Sequence, residues 1–129
     1  MPSVLVVEDD KNVAKELVLR LRSEGYRAVA VHDATAGVAS AVDSHPDILL
    51  LDINMPAGGG LSVAARVSNM PDTADIPIIF LTATTSPEIN AQADAFDPVA
   101  LVEKPSDPRL LMDTISRAIA EHKAESVSG

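Results

Sequence analysis

Five short runs rich in Val, Ile and Leu, separated by segments of helical periodicity, constrain this chain more than any other feature. The runs are Ser3 to Val7, Arg27 to Val31, Ile48 to Leu51, Pro77 to Leu81 and Val99 to Val102. Runs that are apolar on both faces suit strands of a parallel sheet, whose crossover helices cover it from two sides. Between them, Val13, Leu17 and Leu21 recur every four residues, Ala14 and Val18 widen the stripe, and Gly25 stops it. Leu111, Ile115 and Ile119 repeat the pattern after Asp107 as a cap and Pro108 at the first helical position. Ser86, Pro87 and Glu88 open another helix by the same logic, and Asp33 or Thr35 starts the second. A weaker third pattern, Leu61 to Met70, follows Gly60. Strands alternating with helices specify the α/β class.

At 129 residues there is room for one domain with one core, expected over residues 1–123, with 124–129 as a flexible tail or truncated linker. Aromatic residues are 2% of the chain, so the core must be aliphatic. With no cysteine, disulfides and thiolate chemistry are excluded. No apolar run approaches the roughly 20 residues that span a bilayer, and Met1-Pro2-Ser3 has none of the regions of a signal peptide. The cytoplasm is the expected location. A formal charge of −9 argues against nucleic acid and anionic membranes, both of which demand clustered Lys and Arg. A basic partner or a bound cation suits the chain better.

Right-handed crossovers put helices on both faces of the sheet. The expected architecture is a flavodoxin-like (βα)5 doubly wound sheet of strand order 2-1-3-4-5, an order that periodicity alone does not set. In such a sheet the loops after the strands share one edge, where ligands bind. Glu8, Asp9 and Asp10 follow the first run, Asp52 the third and Thr82 the fourth; Lys104 comes just after the fifth. Clustered carboxylates attract a hard cation, typically Mg²⁺, whose charge leaves one carboxylate free to act as a nucleophile toward phosphorus. An ammonium pairs with phosphoryl oxygens and a hydroxyl hydrogen-bonds them, and phosphoryl transfer needs little beyond positioning and neutralisation. Asp10 is better read as a helix cap. His32, His45 and His122 show no ligand spacing and read as surface or loop residues.

The stretches Val4-Leu5-Val6-Val7-Glu8-Asp9-Asp10, Asp52-Ile53-Asn54-Met55-Pro56, Ile76-Pro77-Ile78-Ile79-Phe80-Leu81-Thr82-Ala83 and Lys104-Pro105 together resemble the signature of response-regulator receiver domains. One such motif is weak; four in order, over residues 3 to 122, are specific. The resemblance implies that Asp52 accepts a phosphoryl group and that Thr82 and Lys104 respond to it. It implies that Glu8, Asp9, Asp52 and the backbone carbonyl of Asn54 hold Mg²⁺. It also implies a sensor histidine kinase or histidine phosphotransfer protein as donor and a downstream protein as target. Such a domain is a signalling switch that assists its own phosphorylation and dephosphorylation, rather than an enzyme.

Three departures bear on that expectation. Leu101 stands where receivers usually carry Tyr or Phe, so an aromatic readout is replaced, on this reading, by backbone shifts after Thr82. Phe96-Asp97-Pro98 takes the place of a small turn and should stiffen it. Gly58-Gly59-Gly60 should make the loop beside Asp52 flexible. The alternative is a pseudo-receiver, an interaction module that is not phosphorylated, and the intact set Asp9, Asp52, Thr82 and Lys104 speaks against it. A haloacid-dehalogenase-type phosphatase would want an aspartate where Asn54 stands. A flavodoxin's phosphate would be repelled by Glu8 to Asp10.

Overall fold

The computed structural model describes residues 1–55, 59–104 and 107–128, with side chains through residue 122. Its elements are β1 (Ser3–Val7), α1 (Lys11–Ser23), β2 (Arg27–Val31), α2 (Ala34–Ser44), β3 (Ile48–Asp52), α3 (Gly59–Ser68), β4 (Ile78–Thr82), α4 (Pro87–Asp94), β5 (Ala100–Glu103) and α5 (Pro108–Ser128). All strand pairs are parallel, and the order is β2-β1-β3-β4-β5, as expected. Helix α5 runs across the expected boundary at residue 123. Among the described residues, no helix is long and apolar enough to cross a membrane.

Alternation along the strands divides the core in two. Leu5, Val7, Leu49, Leu51 and Phe80 face one side, against Val38 and Ala41 of α2, Val63, Ala64 and Val67 of α3, and Ala93 of α4. Val4, Val6, Ile48, Leu50, Ile79 and Leu81 face the other, against Leu21 of α1 and Leu111, Ile115 and Ile119 of α5. The caps follow their chemistry. Asp10 accepts the amides of Asn12 and Val13, Asp33 that of Ala36, Ser86 that of Ile89, and Asp107 that of Arg109. Gly25 takes φ +94 where α1 ends.

Several boundaries differ from the sequence reading. The third and fourth strands end one residue later than expected, because Asp52 still pairs with Leu81 and Thr82 with Glu103 in the ladder. Asp52 and Thr82 are thus the last residues of strands, not the first of loops. Helix α3 begins at Gly59 rather than after Gly60.

The glycines there serve close packing rather than the expected flexibility. A Cβ on Gly60 would sit 2.8 Å from the Asp52 carbonyl oxygen and 2.9 Å from the Leu51 Cβ. A Cβ on Gly59, at φ +51, would sit 2.6 Å from the Ile53 carbonyl oxygen. Pro56, Gly58 and Pro105, which also figured in the sequence reading, lie outside the described residues. Gly60→Ala is expected to lower stability by about 2 kcal/mol. Overpacking costs up to about 3 kcal/mol, and the better helix propensity of alanine offsets only about 1 kcal/mol of it. A urea midpoint at or above that of the wild type would show that α3 and β3 can separate freely.

Candidate functional site

Each functional side chain stands at a strand's carboxyl end. Glu8 follows β1, its amide held by the Val31 carbonyl at 3.0 Å, and its side chain is fully buried. Asp52 ends the central strand β3 and is 1% exposed. Thr82 ends β4 and is fully buried. Lys104 follows β5, its amide donating to the Thr82 carbonyl at 2.7 Å. The ladder that forms the core therefore also gathers the site.

The Lys104 Nζ lies 2.8 Å from the Glu8 Oε1 and 3.4 Å from the Asp52 Oδ2. One carboxylate oxygen of each of Glu8, Asp9 and Asp52 lies within 4.8 Å of the others, and Asp9 is the exposed member. Three acids thus face one ammonium. Burial first, then the adjoining Asp52 carboxylate, push the Glu8 carboxyl from 4.5 up to about 7, against the pull of Lys104 and the Asp10 amide. Burial also pulls the Lys104 ammonium down. Its bond to Glu8 and the neighbouring charges of Asp52 and Glu8 outweigh this and hold it above the ordinary lysine value.

The two oxygens of Asp52 differ. Oδ1 accepts the Asn54 amide at 2.9 Å. Oδ2 is buried without a hydrogen-bond donor among the described residues. The Lys104 contact at 3.4 Å compensates its charge without meeting hydrogen-bond geometry. An orphaned buried oxygen beside two more carboxylates, in a site short of positive charge, fits a hard divalent cation with Glu8, Asp9 and Asp52 as donors.

All six residues singled out from sequence, Glu8, Asp9, Asp52, Asn54, Thr82 and Lys104, come together here. Sequence reasoning missed the Asn54 side chain, having assigned that residue only its carbonyl. Its Oδ1 accepts the Ala83 amide and lies 3.1 Å from the Thr82 hydroxyl. That hydroxyl also donates to the Thr84 carbonyl at 2.7 Å. The histidines are less isolated than their spacing suggested. The His32 Nδ1 lies 3.0 Å from the Glu8 carbonyl oxygen. At the other end of the sheet, His45 and His122 flank Asp75 at 3.7 and 3.9 Å. Neither residue type nor spacing signals these contacts, which only the fold creates.

Leu101 is half-buried and packs, with Phe96, against the core face that holds Phe80. The Phe80 and Phe96 ring centroids are 6.3 Å apart at 58°. The turn of Phe96 to Pro98 places Asp97 at φ +49, a conformation that Asp tolerates better than most residues.

The model of the response regulator receiver domain family matches residues 4–116. Protein Rrf1 of Nitratidesulfovibrio vulgaris is 30% identical over 95% of this chain and 86% of its own length. Several other curated relatives are longer, and the chain spans 34% to 48% of them. Among solved structures, the signal receiver domain of a modulated diguanylate cyclase from Desulfovibrio desulfuricans G20 is 34% identical. It superposes with a TM-score of 0.84 over 97% of this chain and 98% of that one. Chemotaxis protein CheY4 of Vibrio cholerae is 28% identical, with a TM-score of 0.86 over 92% and 98%. With the acids, the hydroxyl and the lysine gathered at one sheet edge, and the family match covering nearly all of the fold, this chain belongs to the response regulator receiver domain family of two-component signalling.

Proposed function

We propose that the domain works as a switch in which Asp52 accepts a phosphoryl group and the loop after Thr82 responds. The observation that carries this reading is the Asp52 Oδ2, buried, without a hydrogen bond among the described residues and 3.4 Å from an ammonium. In the reaction, an Asp52 carboxylate oxygen forms a bond to phosphorus. The bond from phosphorus to the leaving group, acetate for acetyl phosphate or an imidazole nitrogen for a phosphohistidine, breaks with its electron pair. Lys104 neutralises charge on the transferred group, and the Asn54 amide holds the other oxygen of Asp52 in place. Glu8, Asp9, Asp52 and the Asn54 carbonyl are the groups that would hold Mg²⁺. The ion, when bound, would offset the acids' charge and that of the phosphoryl oxygens.

A partner delivering a phosphohistidine must bring it to this edge. A groove of about 730 Å³ between α1 and α5 reaches Lys104 and is lined by Leu17, Leu19 and Met112. Leu19 is 56% exposed, which supports docking of an apolar helix from a kinase or phosphotransfer protein there. The pseudo-receiver alternative is not favoured, since the acids, hydroxyl and lysine are all present and assembled.

Intact-protein mass spectrometry after incubation with acetyl phosphate, with and without Mg²⁺, tests the reading beside Asp52→Asn. The expected result is a gain of one phosphoryl group that needs both the ion and Asp52. Uptake that survives in Asp52→Asn would place the acceptor elsewhere. Absence of both uptake and Mg²⁺ binding would return the domain to the interaction-module reading.

A further inference from the structure

The Asn54 side chain holds two donors at the end of β4, the strand beside Asp52: the Thr82 hydroxyl and the Ala83 amide. The Asn54 backbone amide donates to the Asp52 Oδ1 at 2.9 Å, which ties residue 54 to the acceptor. From that position its Oδ1 accepts the Ala83 amide and stands 3.1 Å from the Thr82 hydroxyl. The Thr82 proton has a second acceptor in the Thr84 carbonyl at 2.7 Å, two residues along the same loop. A hydroxyl has one proton to give, so with Asn54 and Thr84 in place it has none for a newcomer. The first amide of the loop is taken as well. These contacts tie the end of β3 to the start of the loop between β4 and α4.

We propose that Asn54 is an internal latch: its carboxamide oxygen stands in for a phosphoryl oxygen on Thr82 and Ala83, and must be displaced before the loop can close on phosphorylated Asp52. The proposal rests on Asp52 being the acceptor. The latch opposes phosphorylation, because the phosphorylated state gains the Ala83 amide only after losing it from Asn54, and the Thr82 proton only after Asn54 and Thr84 give it up. It also gives the unphosphorylated loop a defined resting position. The residue acts through Thr82 and Ala83 and touches no reacting atom with its side chain, so it is a positioning residue. Asn54 and Ala83 are both exposed, and bonds there are worth little enough to exchange. Losing them should change uptake on the order of tenfold.

The test compares the wild type with Asn54→Ala and Asn54→Leu, both of which keep the backbone amide and carbonyl. Leucine also keeps the bulk, so it removes the oxygen without opening a gap. Phosphoryl uptake from acetyl phosphate at fixed Mg²⁺ is followed by mass spectrometry, beside exchange of the Ala83 amide by NMR. Both variants are expected to take up phosphoryl groups roughly tenfold faster than the wild type. Their Ala83 amide should lose its protection before phosphorylation, a change that general destabilisation would not confine to one loop. Equal or slower uptake in both variants, or an Ala83 amide still protected in them, overturns the latch while leaving Asp52 as acceptor. A wild type that takes up nothing and binds no Mg²⁺ would overturn the acceptor reading itself, and the latch with it.

Discussion

Lys104→Met is expected to damage both phosphorylation and stability, and the two losses have separate readouts. Among the described residues, Lys104 is the one cation in contact with both buried acids, and its side chain is 24% exposed against 1% for each of theirs. Removing one partner of a buried ion pair costs about 3–5 kcal/mol when the remaining charge is stranded. Glu8 limits that cost, because it can take up a proton. The expected loss is therefore about 3 kcal/mol at pH 8, shrinking toward pH 5. Phosphoryl uptake should fall by about 10²- to 10³-fold, the usual effect of deleting a preorganised charge aimed at a developing anion. Urea unfolding at the two pH values measures the first effect, and acetyl phosphate uptake the second. If uptake is unchanged while stability falls, Lys104 is a counter-ion to the acids and nothing more.

Metal-free protein should lose stability between pH 4.5 and 7 through Glu8, and Mg²⁺ should restore it. In the unfolded chain this carboxyl titrates near 4.5; folded, it keeps its proton up to about 7. Between those values the folded state binds more protons than the unfolded one, so stability falls as pH rises. At 1.36 kcal/mol per unit the displacement is worth up to about 3 kcal/mol. The loss is complete above pH 7 and absent below 4.5. Glu8→Gln removes the titration, so the difference between the two unfolding curves isolates it from every other acid. Metal binding needs the ionised carboxylates. Millimolar Mg²⁺ should therefore stabilise the wild type clearly at pH 8 and little at pH 5. Parallel pH profiles for the wild type and Glu8→Gln would show that Glu8 titrates as it does in water.

Much of this was legible in the chain, for physical reasons that also mark where legibility ended. A strand buried on both faces has to be apolar throughout, so β1, β3 and β4 were plain. Because such a strand has no alternation, nothing in it marks its last residue. Polar Asp52 and Thr82 therefore read as loop while their backbones still pair in the sheet. The start of α3 was obscured differently. Gly59 and Gly60 have poor helix propensity, and the close approach of α3 to β3 that requires them is a tertiary fact. Asp10 and Ser86 were readable as caps because a cap is a local arrangement. The Asn54 bonds to Thr82 and Ala83 join residues 28 and 29 positions apart, and the His45 and His122 contacts with Asp75 likewise cross the chain. No local pattern encodes these.

The register of the sheet divides the site into a fixed part and a yielding part. Asp52 ends a strand with neighbours on both sides, and Thr82 ends the next one. Their separation is therefore set by the dimensions of the interior, and small repacking of Leu49, Leu51 or Phe80 would be passed on to it. Lys104 extends from a border strand with a neighbour on one side only, at the end of a long aliphatic stem. It can follow a charge that moves or grows without disturbing the sheet. A site assembled this way takes its accuracy from the centre of the molecule and its tolerance from the rim. Sequence change at the rim can then retune the site while Asp52 stays in register.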